Sequence, residues 1–321
     1  MNQAFLKPLI PFYSASYTRS YLTNCYEAYN IKQPNAKGYQ NCYSFIYHLH
    51  HGQLYFEQAT TAPIELRPML LFYGTVQFMK ACILTRDPSY PESSQVLAHG
   101  VTTRKRKKTS YRFLEDEVKI QKNGLYSHFL DKMFHMKHFD GEKYRMDSLL
   151  KQIPEMHEMF SLLQHETISV KGKQEASSFL FSSQLLDSYH MTPNRFEQFL
   201  NQYITNSIPT QLALAVKEQK SDLVISFKNK PSTFFSPPFL FDVNKNAFLL
   251  KKRDDYRLIP ELTVHYLLLY NLSMICRYET EWWGELIHTI DGTDLPFILR
   301  FLEVAQEKIP YYLFYFLRPK T

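Results

Sequence analysis

Three cations stand inside apolar helical sequence: Arg67, Lys80 and Arg277. A buried charge without a partner is costly, so each of them needs an acid, a row of carbonyls or a ligand. Two arrangements satisfy that need. In one, the cations pair with Glu57, Glu65 or Glu279, or with carbonyls at helix C-termini. In the other, some of them converge with His99 and with Trp282 or Trp283 on an anionic, ring-bearing ligand such as a nucleotide. A guanidinium would then hold phosphate while an indole stacked on the base. A second chemistry-bearing stretch is the contiguous run Arg104, Lys105, Arg106, Lys107 and Lys108, flanked by Thr and Ser. Five adjacent cations repel one another and predict an exposed loop, which either contacts phosphate or nucleic acid or is only solvated.

The histidines make a weaker pattern. His48 and His51 are three apart, and His128, His135 and His138 are spaced by seven and three. Around His48 and His51 no carboxylate or cysteine completes a ligand set at matching helical spacing, and the other three read as core or surface histidines, so no metal and no cofactor are expected. The chain contains no Gly-x-Ser-x-Gly, no Walker-type Gly-Lys-Ser/Thr and no His-Glu-x-x-His. Glu115-Asp-Glu117 reads as solvated charge. No catalytic residue is assigned.

Helices must position these groups. In Arg67–Leu84, Met69, Phe72, Tyr73, Val76, Met79 and Ile83 share one face, which Leu70, Leu71, Phe78 and Leu84 widen until little polar surface remains. Such a helix belongs at the centre of a bundle, with Pro68 in its first turn. A first helix is expected over 14–30, a break at Pro34–Gly38, and a second helix from Tyr39 to Ala62, in which Gly52 marks a close crossing. Asn123-Gly124 reads as a turn or strand end, and Met146–Leu163 as a helix that Pro154 starts or kinks. From His165 to Asp255 the pattern changes. Thr167–Lys171, Leu223–Lys228 and Ala247–Lys252 alternate as strands do, Thr192 caps a helix beginning at Pro193, and Ser236-Pro-Pro238 reads as an extended connector. Helical sequence returns at Pro260–Arg277, then beyond Thr280, then over Leu295–Ile309, with Tyr311–Leu317 as a separate apolar end. The stretch Leu267–Asn271 with Arg277 repeats Leu70–Gly74 with Lys80, a cation ten residues after the first leucine in each.

The expected fold is therefore mainly α: a helical bundle body (1–164 and 256–321) with a smaller α+β insertion at 165–255. An aromatic share of 16%, with 25 Phe and 23 Tyr, predicts a core whose edges are hydrogen-bonded by tyrosine. Only 9 Gly argue against a glycine-rich phosphate loop. The net charge of +6 owes five charges to residues 104–108, so basicity is one local feature. Cys25, Cys42, Cys82 and Cys276 form no Cys-x-x-Cys and read as reduced, buried thiols of a cytoplasmic protein. Residues 68–84 fall short of a membrane span and contain Gly74, Gln77 and Lys80, so no membrane association is expected.

Several stretches together resemble the YaaC-like family of bacterial proteins: the Tyr43–Ala59 helix, Arg67-Pro-Met-Leu-Leu-Phe-Tyr-Gly with Lys80-Ala81, His99-Gly100, and Leu268–Tyr278 before the tryptophans. The resemblance covers nearly the whole chain and implies a mainly helical protein. Genes of that family can lie beside that for IMP dehydrogenase, which implies guanine-nucleotide metabolism as a setting and that enzyme as a partner. A looser likeness is to HEPN-type helical domains, many of them ribonucleases using Arg-x(4–6)-His. That spacing is absent: seven residues separate Arg257 from His265, and ten separate Arg277 from His288. The expected function is a non-catalytic cytosolic regulator that binds a protein partner, with a nucleotide as candidate ligand. The alternative is a HEPN-like RNA-binding protein or ribonuclease that lacks the usual motif.

Overall fold

The computed structural model describes residues 3–103, 111–137, 140–175, 178–207, 213–229, 231–289 and 292–318. The chain divides into two compact units, Met1–Met146 with His265–Thr321, and Asp147–Val264. It is mainly helical, with two small antiparallel sheets. Among the described residues, no helix is long and apolar enough to cross a membrane.

The first unit opens with a 3-10 stretch and then three consecutive helices. They are α1 (Ala15–Ala28), α2 (Pro34–Thr61) and α3 (Arg67–Leu84). Ser14 caps α1 by accepting from the Tyr17 N–H. The break expected at Pro34–Gly38 is instead the first turn of α2. Proline loses nothing at N1, and the turn lies at residues 29–33, where Asn30 and Gln33 take positive φ.

Helices α2 and α3 run antiparallel and lock reciprocally. A Cβ on Gly52 would lie 2.3 Å from the Phe78 ring, and one on Gly74 would lie 2.6 Å from the Phe56 ring. The two rings meet in the same crossing, with centroids 5.2 Å apart. As its sequence pattern required, α3 is enclosed: Leu71, Phe72, Phe78, Ala81, Cys82, Ile83 and Leu84 are all buried.

A small sheet follows, formed by β1 (Val101–Thr103), β2 (Glu117–Ile120) and, after α4 (Leu125–Phe134), β3 (Lys143–Arg145). Its register pairs Val101 with Ile120 and Val118 with Tyr144. Arg86 and Asp87, just past α3, tie α4 down. The Arg86 Nη1 donates to the carbonyls of Lys132 and Met133 at 3.2 and 2.9 Å, where the end of a helix leaves acceptors open. Asp87 accepts from His128 at 3.0 Å and Lys132 at 3.2 Å. His128 therefore takes its acidic partner, Asp87, from 41 residues away in the chain. Burial alone would raise the Asp87 carboxyl, but the hydrogen bonds from His128, Lys132 and the Ser89 N–H, with the Lys132 charge, hold it down at about 2. His135 is the left-handed C-cap of α4, and His138 lies outside the described residues.

The second unit contains α5 (Met146–Leu150, whose first residue belongs to the first unit), α6 (His157–Gln164), α7 (Gln184–Tyr189) and α8 (Pro193–Ser207). Its sheet comprises β4 (Ser169–Glu175), β5 (Ser178–Ser182), β6 (Leu214–Gln219), β7 (Asp222–Phe227), β8 (Leu240–Phe241) and β9 (Ala247–Leu250). The strand order is β6-β7-β5-β4-β9-β8, antiparallel throughout. The helix expected over Met146–Leu163 is two helices, separated by a 3-10 turn at Pro154. The expected strands become β4, β7 and β9, and β5 and β6 complete the middle and one edge. Ser236-Pro-Pro238 is not extended: the Pro237–Pro238 bond is cis, and the Phe239 N–H returns to the Ser236 carbonyl at 2.9 Å. Thr192 caps α8, as its position before Pro193 suggested.

The chain returns through α9 (Glu261–Tyr278), α10 (Thr280–Thr289) and α11 (Asp294–Leu317). Tyr311–Leu317 is no separate segment, because α11 continues through Pro310, which is itself buried. Cys42 and Cys82 are buried, Cys25 and Cys276 half-buried, and all four are free thiols.

Candidate functional site

One surface of the first unit is built from three helices and a loop. On α3, the half-exposed residues Tyr73, Gln77 and Lys80 lie at i, i+4 and i+7, one stripe of a helix that is otherwise buried beyond its first turn. Across the crossing, α2 presents His48, His51 and Tyr55 at i, i+3 and i+7. His48 Nδ1 donates to the Gln77 amide oxygen at 2.6 Å, and the rings of Tyr55 and Tyr73 lie 6.1 Å apart. On α9, Tyr270 and Arg277 are also seven apart and share a face.

The loop residue is His99. Its backbone is pinned from two sides, accepting from the Tyr266 hydroxyl at 2.8 Å and the Tyr126 N–H at 3.3 Å. The next residue, Gly100, has φ of +78°, a conformation that side chains disfavour. Thus held, the imidazole lies against Phe72 at 5.0 Å, Tyr270 at 5.7 Å and Tyr73 at 6.4 Å between centroids. Among the described residues, nothing hydrogen-bonds the His99 ring nitrogens.

Arg277 is fixed in place. Its Nε donates to the Ser273 carbonyl and its Nη1 to the Tyr73 hydroxyl, both at 2.9 Å. The guanidinium carbon lies 5.6 Å from the Tyr73 ring centre and 5.1 Å from that of Tyr278. Lys80 has no hydrogen bond or ion pair among the described residues, and no ion pair there involves Arg277.

Among the described residues, the electrostatics are those of a cationic surface with no paired carboxylate. Burial, then the Arg277 and Lys80 charges, push the His99 imidazole below its usual range. Burial likewise lowers the Lys80 ammonium. His48 is lowered by burial and by Lys80 and His51, with the Gln77 hydrogen bond opposing. Like charges brought together in partly desolvated surroundings are unfavourable, and a bound anion relieves that repulsion. The surface offers donors to an anion and the faces of the half-exposed Tyr55 and Tyr73 to a ring.

The residues singled out in the sequence do not all meet here. His99 and Arg277 both lie against Tyr73, and Lys80 stands seven residues further along the same stripe of α3. Arg67 begins α3, roughly 20 Å from Lys80 at 1.5 Å rise per residue, and its Nη2 donates to the Ala62 carbonyl at the end of α2. Trp283 is buried, with its indole N–H on the Glu65 carbonyl at 3.3 Å. Trp282 is half-buried and meets Tyr111 edge-on at 4.5 Å. Arg104, Lys105, Arg106, Lys107 and Lys108 lie outside the described residues. No group of three or more metal-ligating side chains occurs among the described residues. His48 was noted only as one of a histidine pair, and Gln77, Tyr73 and Tyr270 were not singled out as ligand contacts. The last two occupy equivalent places in the repeated segment, three residues after its first leucine, and that repeat was their available signal.

A helical body around α3 that carries antiparallel strands and an open cationic, aromatic surface defines the class. The chain belongs to the YaaC-like family: the family profile described as YaaC-like Protein matches residues 10–317, nearly its full length. No curated protein and no solved structure matches the chain.

Proposed function

We propose that this chain is a non-catalytic regulatory protein of the cytosol that binds a nucleotide at Lys80, His99 and Arg277 and responds to it by engaging a protein partner. The observation that supports the reading is that Arg277 and His99 lie against Tyr73 while Lys80 follows on the same stripe of α3, with no carboxylate paired to either cation among the described residues. Phosphate would lie between Lys80 and Arg277, and the base would stack on tyrosine. Guanine nucleotides are the first to test, on the setting that the family resemblance implies. A protein partner fits Tyr39, Tyr43 and Tyr47, which are 65, 51 and 59% exposed along one face of α2; tyrosine is enriched at interfaces. IMP dehydrogenase is the first candidate, again on the resemblance.

A thermal-shift series with guanosine and adenosine mono-, di- and triphosphates tests the ligand. The expected result is a raised midpoint with at least one nucleotide, lost in Lys80→Gln while that variant remains folded. A midpoint that no nucleotide moves refutes the reading.

A further inference from the structure

A cavity lies elsewhere in the first unit, lined by α1, the segment after α3 and the end of α11. Its volume is about 230 Å³. An apolar cavity of about 150 Å³ accommodates benzene, so this one has room for a substituted ring. Its wall on α1 comes from one helical face, with Tyr17, Tyr21 and Asn24 at i, i+4 and i+7, and Phe316 and Tyr29 add further rings. Two arginines, Arg86 and Arg318, also line it, and no carboxylate does so among the described residues.

The two arginines differ in kind. Arg86 is preorganised: its Nη1 serves the two carbonyls at the end of α4, and its guanidinium carbon lies 5.3 Å from the Tyr29 ring centre. Its Nε and Nη2 make no hydrogen bond among the described residues, so two donors of a rigid fork remain. Arg318 is exposed at the end of α11 and has no ion pair among the described residues. One fixed and one adaptable guanidinium, above a wall of tyrosine and phenylalanine, suit a ring bearing a single acidic group.

We propose that this cavity is a binding site for a small aromatic anion, its carboxylate or phosphate held by Arg86 and Arg318 and its ring laid against Tyr17, Tyr21 and Phe316. It is separate from the Lys80 surface and does not depend on it.

Fluorine NMR of 4-fluorobenzoate and 4-fluorophenyl phosphate, titrated with the full chain, tests the assignment. At least one anion is expected to bind, at least tenfold more tightly than the neutral 4-fluorobenzamide. Arg318→Gln should weaken it by a similar factor, and Ala28→Trp, at an exposed position lining the cavity, should abolish it by filling the space. Lys80→Gln should bind as the wild type does. Absence of binding by both anions, equal binding of the amide, or binding that survives Ala28→Trp would each overturn the proposal. Arg86 is left intact because it also holds α4.

Discussion

Replacing Gly52 by alanine probes the crossing that sets the candidate site. The new Cβ would lie 2.3 Å from two carbons of the Phe78 ring, whereas ordinary contact begins near 3.4 Å, so the ring must retreat by roughly 1.1 Å. Phe78 is 2% exposed and lies against Phe56, which is fully buried, so it has no open side to move into. Overpacking of this kind costs about 1–3 kcal/mol. Alanine also favours a helix over glycine by about 0.5–1 kcal/mol, which offsets part of the cost. The net expectation is a loss of about 1–2 kcal/mol, or a midpoint lowered by about 3–6 °C for a unit of this size. Differential scanning calorimetry reads it directly. Gly52→Ala combined with Phe78→Leu should recover part of the loss, because the smaller side chain vacates the overlap, giving a non-additive cycle. Since Gln77 and Lys80 flank Phe78, the same substitution should weaken ligand binding. A Gly52→Ala protein as stable as wild type, or more so, would mean that α2 and α3 do not approach this closely.

Two further perturbations test the electrostatics and the polar core. Asp87, held at about 2 against an ordinary 3.8, contributes about 2 kcal/mol that is present above pH 4 and disappears as pH falls toward 2. Asp87→Asn should flatten the acid-side fall of the melting midpoint over that window; an unchanged profile would remove Asp87 from the account. In the second unit, the Tyr256 hydroxyl accepts from the Leu250 N–H at 2.8 Å and from the Tyr189 hydroxyl at 3.1 Å. Tyr256→Phe leaves that buried N–H unpaired and should cost about 1–3 kcal/mol in a chemical melt; a loss under about 0.5 kcal/mol would show that the network is dispensable.

The helical body was legible because its signals are local. The apolar face of α3 depends on residues within a few turns of one another, as does the cap at Thr192 in the second unit, and Gly52 stood out as a small residue within an apolar helical stretch. The misplaced features depended on context. Pro34 can end one element or begin the next, and the decision lies with the turn at Asn30 and Gln33. Pro310 reads as a stop, yet α11 runs through it within the core. Strand β6 alternates only over Leu214 and Val216 before turning polar, so periodicity alone was weak there. The candidate site divides the same way. Lys80 and Arg277 were legible as charges in apolar sequence, and the repeat that contains them also contains Tyr73 and Tyr270. The hydrogen bond between His48 and Gln77 joins residues 29 apart, and no spacing rule reaches that far. For Arg67 and Trp283, sequence could not separate a ligand contact from the backbone carbonyl that each one holds.

In the function proposed above, Lys80, His99 and Arg277 wait for an anion. In the free protein, burial and the two neighbouring charges hold His99 below its usual range; an anion placed between them should raise it, so binding should take up a proton. Isothermal titration calorimetry of guanosine 5′-monophosphate, in buffers of differing ionisation enthalpy from about pH 8 to about pH 6, measures both affinity and proton uptake. Affinity is expected to strengthen as pH falls, by at most about tenfold per unit for one proton. His99→Gln should lose the proton uptake, and Lys80→Gln should lose the binding. Affinity independent of pH, or unchanged by Lys80→Gln, would contradict the proposed function.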